Sequence, residues 1–235
     1  MIAWDYAIFT RLHRFLETTR ETIDDRESLV LFTTMRQWWR YHQFLQIILS
    51  RYRQDVADCA SAEGIFADAP LHLDIESFYL IAKNLLDRIA DSFAYVFRGE
   101  QWRDKGSTHN MLAKELNGLL ARQKLTLTPP ELRDLIAESR KRIIGHRNEF
   151  IEHPGEPRMA HGTLLSSDGR AAIATYLAHP APSPKEVAKR QKETEDPFEL
   201  MALIERYIEA MFTFFETNFD RSELVRGKAT KKPSR

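Results

Sequence analysis

The chain has 235 residues, of which 43% are hydrophobic and 29% charged, with only nine glycines. This is the composition of a largely helical globule long enough for one sizeable core. Lys plus Arg and Asp plus Glu are each 34, so no global field steers the molecule toward nucleic acid, and any such binding needs a local patch. The single cysteine, Cys59, excludes a disulfide framework or thiolate metal cluster within one chain.

Taken in chain order, a first helix is predicted over about residues 4–18. The opening MIAWDYAIFTRLHR has no charged region ahead of an apolar one, and no stretch reaches the roughly 18 uncharged apolar residues of a membrane span. A cytoplasmic protein with no membrane partner is therefore expected. A second helix is predicted from about residue 28 to 52, with Ser28 as N-cap. Its Leu31, Phe32, Met35, Trp38, Trp39, Phe44, Leu45 and Ile48 cover more than one stripe, so the helix is either central or shared with a second copy, and a partial dimer interface is the favoured expectation. A third helix over about residues 74–98 carries a regular stripe of Phe78, Ala82, Leu85, Ile89 and Phe93. Its opposite face holds Glu76, Asp87 and Asp91, which read as solvated, with Asp87 a candidate counter-ion. A shorter helix spans about residues 111–123, and His72, His109, His161 and His179 fall in expected loops where a lone histidine is usually solvated.

The next segment carries the chemistry. Residues 128–152 read as one helix, with Thr128 as N-cap, Pro129 at the first position and Glu131 and Asp134 in the first turn. At roughly 100° per residue, Leu132, Ile136, Ile143 and Phe150 share one face, and Arg147 falls among them. A buried cation without a partner costs several kcal/mol, so Arg147 must meet a carboxylate, a partner subunit or an anion in a wet groove. Pro154 disfavours helical geometry at His153, which frees the imidazole to turn back toward the last turn. In an unbroken helix the two side chains would diverge by about 120°, so a shared site needs that break or a second copy of the helix.

Beyond Pro154, MAHGTLLSSDGRAAIATY alternates around a Ser-Asp-Gly turn like a short β-hairpin, and a polar, proline-bearing stretch follows. Residues from about 155 to 195 thus read as an insertion. Asp196 as N-cap and Pro197 at the first position open a last helix with a wide apolar face, and a basic tail from about 226 to 235 is expected to be disordered. The fold class expected is an all-α up-down helical bundle in one domain, with a small β-hairpin insertion before the last helix. No Gly-rich phosphate loop, Walker motif, HExxH pair or paired CxxC occurs.

Arg147-Asn148 followed by His153-Pro154 on an all-helical chain, with DIESFYLIAKNLLDRIADSF upstream, resembles the HEPN superfamily, whose motif is an Arg and, four to six residues on, a His. The resemblance spans roughly residues 28 to 154. Active members of that family bring two motifs together in a dimer and cleave RNA without a metal or other cofactor, in toxin and phage-defence settings. The resemblance implies that Arg147 binds the scissile phosphate, Asn148 contacts the phosphate or orients the histidine, and His153 moves the proton. A cyclic-phosphate end would result. Arg140 and His146, in a locally basic run, are the candidate substrate-binding residues. The implied partners are a second copy of the chain, RNA, and an antitoxin or other regulatory protein.

Three other readings stand beside this one. Many relatives use the bundle as a non-catalytic dimerisation or binding module for protein, nucleotide or nucleic acid. In a purely structural role, Arg147 would pair with a carboxylate such as Asp87 or Glu149, and His153 would cap the helix end. Alternatively, His146, Glu149 and His153 at helical spacing would offer a metal two imidazoles and a carboxylate.

Overall fold

A computed structural model describes residues 6–61, 69–99, 107–145, 159–165, 171–177 and 196–230. The order is α1 (Ala7–Thr19), α2 (Asp25–Ser61), α3 (Ala69–Arg98), α4 (His109–Gln123), α5 (Leu132–Ser139), β1 (Met159–Leu165), β2 (Ala171–Leu177), α6 (Pro197–Asn218) and α7 (Glu223–Thr230). The protein is an all-α helical bundle.

α2 begins earlier than Ser28 because Asp24 takes the cap: its Oδ1 accepts the Glu27 backbone N–H at 2.8 Å. Leu31, Met35, Trp38, His42, Leu45, Leu49 and Tyr52 are all buried, at alternating spacings of four and three. This is the seam of a helix pair. The partner is α3, antiparallel to it, with Trp38 Nε1 donating to Ser92 Oγ at 2.9 Å toward one end and Arg51 bound to Asp74 toward the other. Ile47, Leu73 and Leu80 of this pair are exposed, whereas Phe32 and Trp39 rest against the core.

α6 closes the core. Asp196 Oδ1 accepts the Phe198 N–H at 2.8 Å and Pro197 opens the helix, as the sequence predicts. Phe212, Phe214 and Phe215 are fully buried, and Phe215 stacks on Phe97 at 5.7 Å while Trp38 meets Phe212 at 5.1 Å. Each such ring contributes roughly 1.5–3 kcal/mol by burial. α1 is fixed to α6 through Arg11, whose guanidinium donates to Thr213 at 2.9 Å and Glu216 at 2.8 Å.

β1 and β2 pair antiparallel from Met159↔Leu177 to Leu165↔Ala171, where the alternation predicts a hairpin. Residues 226–230 of the tail expected to be disordered are helical, since α7 runs to Thr230, and residues 231–235 lie outside the described residues. Ser222 Oγ accepts the Val225 N–H at 3.3 Å and Leu224 is buried, so this end has both a cap and an anchor. Among the described residues no helix is long and apolar enough to cross a membrane.

Candidate functional site

The motif helix departs from its prediction at both ends of its described part. Thr128 is not the N-cap: the α-helix starts at Leu132, and Pro129 and Pro130 lie in the turn ahead of it. A proline disfavours helical geometry in the residue before it, so Pro130 keeps Pro129 from acting as a first helical residue. At the other end α-geometry stops at Ser139 and a π-helical turn runs from Arg140 to Gly145. Leu132, Ile136 and Ile143 are buried, as the stripe predicts. The i→i+5 pattern winds fewer degrees per residue than the α-helical spacing on which the Arg147 expectation rests. His146, Arg147, Asn148 and His153 lie outside the described residues, as does Glu149.

The π turn is braced by a polar cluster that links α3, α4 and α6. Asp87 and Asp91, one turn apart on α3, accept the backbone N–H groups of His109, at 2.9 Å, and of Ser107. Asp87 Oδ2 also meets Lys83 Nζ at 2.8 Å, and Asp91 Oδ2 meets Arg88 at 2.8 Å. These carboxylates are only 14% and 16% exposed, so for Asp87 and Asp91 the expectation of solvation is corrected, whereas Glu76 is exposed as expected and Asp87 does act as a counter-ion, to Lys83: the two aspartates catch the start of α4. Thr108 completes the cap. Burial raises the Asp91 carboxyl above its ordinary range and neighbouring Asp87 adds to this, against the opposing pull of the Ser107 N–H and Arg88.

His109 corrects the sequence reading most plainly. It is the first residue of α4, not a loop residue, and it is fully buried. The signal was present, because His109 precedes Leu112, Leu116 and Leu119 on the same apolar stripe. Its ring meets Tyr207 of α6 edge-on at 5.5 Å, and both ring nitrogens lack a hydrogen-bond partner among the described residues. Burial pushes its pKa down to about 4; Asp87 opposes that shift and Arg140 reinforces it. At neutral pH the imidazole is uncharged. The Tyr207 hydroxyl is equally buried and has no partner among the described residues, and burial, with help from Asp87, raises its pKa. His72, also expected in a loop, belongs to α3, and His161 belongs to β1.

Arg140, a predicted substrate-binding residue, is exposed, and its Nε donates to Asn110 Oδ1 at 2.9 Å. Arg142 serves a different purpose. It bridges Glu138 at 3.0 Å and Glu199 of α6 at 3.8 Å, so it ties the π turn to the last helix. No group of three or more His, Cys, Asp or Glu side chains suited to a metal ion occurs among the described residues.

No family model, curated protein or solved structure matches the chain.

Proposed function

We propose that the protein is a metal-independent endoribonuclease of the HEPN type that acts as a homodimer in a toxin or phage-defence setting. Arg147 would hold the scissile phosphate and Asn148 would hydrogen-bond it. His153 would take the proton of the attacking ribose 2′-hydroxyl or donate one to the leaving 5′-oxygen. As the 2′-oxygen bonds to phosphorus the P–O5′ bond breaks, leaving a cyclic phosphate. With an ordinary pKa near 6.5, an imidazole can do either at neutral pH. The observation that carries the reading is Arg140. It sits at the start of a π-helical turn that leads into the Arg147 segment, and a neutral asparagine rather than a carboxylate holds it. π-Helical turns occur often at functional sites, and a guanidinium with no ion pair among the described residues, a few positions ahead of the motif in sequence, suits a phosphate. His146 would contribute next to it.

A second reading, a non-catalytic dimerisation or binding module, is favoured by one observation. Leu73 at 59% and Ile47 and Leu80 at 38% exposure lie on the outer side of the α2–α3 pair. The deciding experiment compares wild type, Arg147→Ala and His153→Ala on RNA in EDTA, each checked for fold and dimer mass. Cleavage lost in both folded variants supports the ribonuclease. An intact dimer that cleaves no RNA supports the module, and a monomer that cleaves would overturn the dimeric site.

A further inference from the structure

Two guanidinium groups are displayed side by side on the ridge between α4 and α5, and both are held by amides. Arg140 Nε donates to Asn110 Oδ1 at 2.9 Å and Arg133 Nη2 donates to Asn117 Oδ1 at 2.8 Å. The two asparagines are seven residues apart on α4, and the two arginines are seven apart on the facing segment, so the same contact is made twice along one helix pair. Lys114 lies between the asparagines on that face of α4 and is exposed, as are Arg133 and Arg140. None of the three cations forms an ion pair among the described residues.

The carboxylates of α5 itself are on its other side. Asp134 and Glu138 line a groove of about 720 Å³ with Glu205, Arg206 and Glu209 of α6 and Arg11 of α1. The charged side chains of α5 are therefore divided between its two sides, Arg133 toward α4 and Asp134 and Glu138 toward α6. An amide oxygen fixes a guanidinium without cancelling its charge, whereas Asp at either position would fix and neutralise it. Orientation with the full charge kept is what a phosphate-binding arginine needs, because less side-chain entropy is lost when the anion arrives. Seven residues of helix separate the two arginines by about 10 Å, which a single-stranded phosphate backbone spans within a few linkages.

We propose that Arg133, Arg140 and Lys114, with the arginines aligned by Asn117 and Asn110, form a docking track for the sugar–phosphate backbone of single-stranded RNA. This assignment builds on the ribonuclease reading and names the surface that would hold its substrate.

The test uses the full chain and a fluorescent single-stranded 2′-O-methyl RNA, which lacks the attacking hydroxyl, so that binding is measured apart from cleavage. Arg133→Gln/Arg140→Gln should weaken binding at least roughly tenfold and reduce the slope of log affinity against log salt by about 1.4, since each single-strand phosphate contact contributes about 0.7. Asn110→Asp/Asn117→Asp, which keeps both hydrogen bonds and hence the fold, should weaken binding comparably by neutralising the guanidinium groups. Arg14→Gln/Arg36→Gln removes two exposed cations elsewhere and should leave affinity within about twofold. Unchanged affinity and slope in the two ridge variants would overturn the track even if the protein cleaves RNA. So would a wild type that binds no RNA, or one that binds polyglutamate as tightly. A chain that binds through the ridge but cleaves nothing leaves the track standing and removes the ribonuclease.

Discussion

Asp87 Oδ1 accepts the backbone N–H of His109 at 2.9 Å, so a carboxylate on one helix caps the first turn of another. Through the next residue, Asn110, the same turn holds Arg140 of the π turn. A continuous line of hydrogen bonds therefore joins α3 to the base of the motif segment. Asp87→Ala should lower stability to urea by about 1–2 kcal/mol by removing an acceptor from a helix N-terminus. Asp87→Asn keeps an acceptor and should lose less than half of that. Equal losses in the two variants would assign the effect to the Lys83 ion pair instead.

The acid limb of the stability profile should carry the mark of His109. Its pKa is about 4 in the fold against 6.5 in the open chain. Because the folded value is the lower, the unfolded chain binds the extra proton between those two pH values. Stability is full above the unfolded value of 6.5, falls as pH drops toward about 4, and levels off below that. The amount lost is about 3 kcal/mol. His109→Phe, which keeps a ring against Tyr207, should flatten the profile across this window. Urea midpoints for both proteins between those pH values check it, and parallel profiles would contradict the buried neutral imidazole.

Tyr207→Phe isolates a second polar group in the core. The hydroxyl is buried with no partner among the described residues, so deleting it should leave stability unchanged or raise it by up to about 1–2 kcal/mol. Thermal unfolding of the two proteins is the check. A loss of about 1 kcal/mol or more would show that an internal water bonds the hydroxyl in solution.

Much of the fold was legible in the sequence because apolar spacing is physical. The stripe Phe78, Ala82, Leu85, Ile89 and Phe93 is buried as the periodicity predicts, and Asp196-Pro197 opens the last helix. Helix starts were less legible where two caps compete, as at Asp24 and Ser28, because only tertiary packing decides which turn is kept. His109 was misread through residue type. It stands on the stripe of Leu112, Leu116 and Leu119, and its spacing outweighs its polarity. Asn110 and Asn117 carried no local signal. Their spacing acquires meaning only when Arg133 and Arg140 lie across from them, and a single strand of text does not show what faces what. The π turn was equally hidden, since residues 140–145 contain no proline and the α-helical stripe passes through Ile143 unbroken.

Within the π turn, burial and charge should separate cleanly. Ile143 is fully buried, and Ile143→Ala should cost about 2–4 kcal/mol. Arg142 is 21% exposed and bonded to carboxylates that are 42% and 71% exposed, so Arg142→Ala should cost under about 1 kcal/mol. Urea unfolding of the pair would contradict this account of the turn if the arginine proved the costlier loss.

The ribonuclease claim is tested most directly by the chemistry of the RNA ends. Purified protein is incubated with a defined single-stranded RNA in excess EDTA, and the products are analysed by mass. The account predicts fragments ending in 2′,3′-cyclic phosphate, formed without a divalent metal and absent with Arg147→Ala. Intact RNA, or fragments with free 3′-hydroxyl ends, would contradict it.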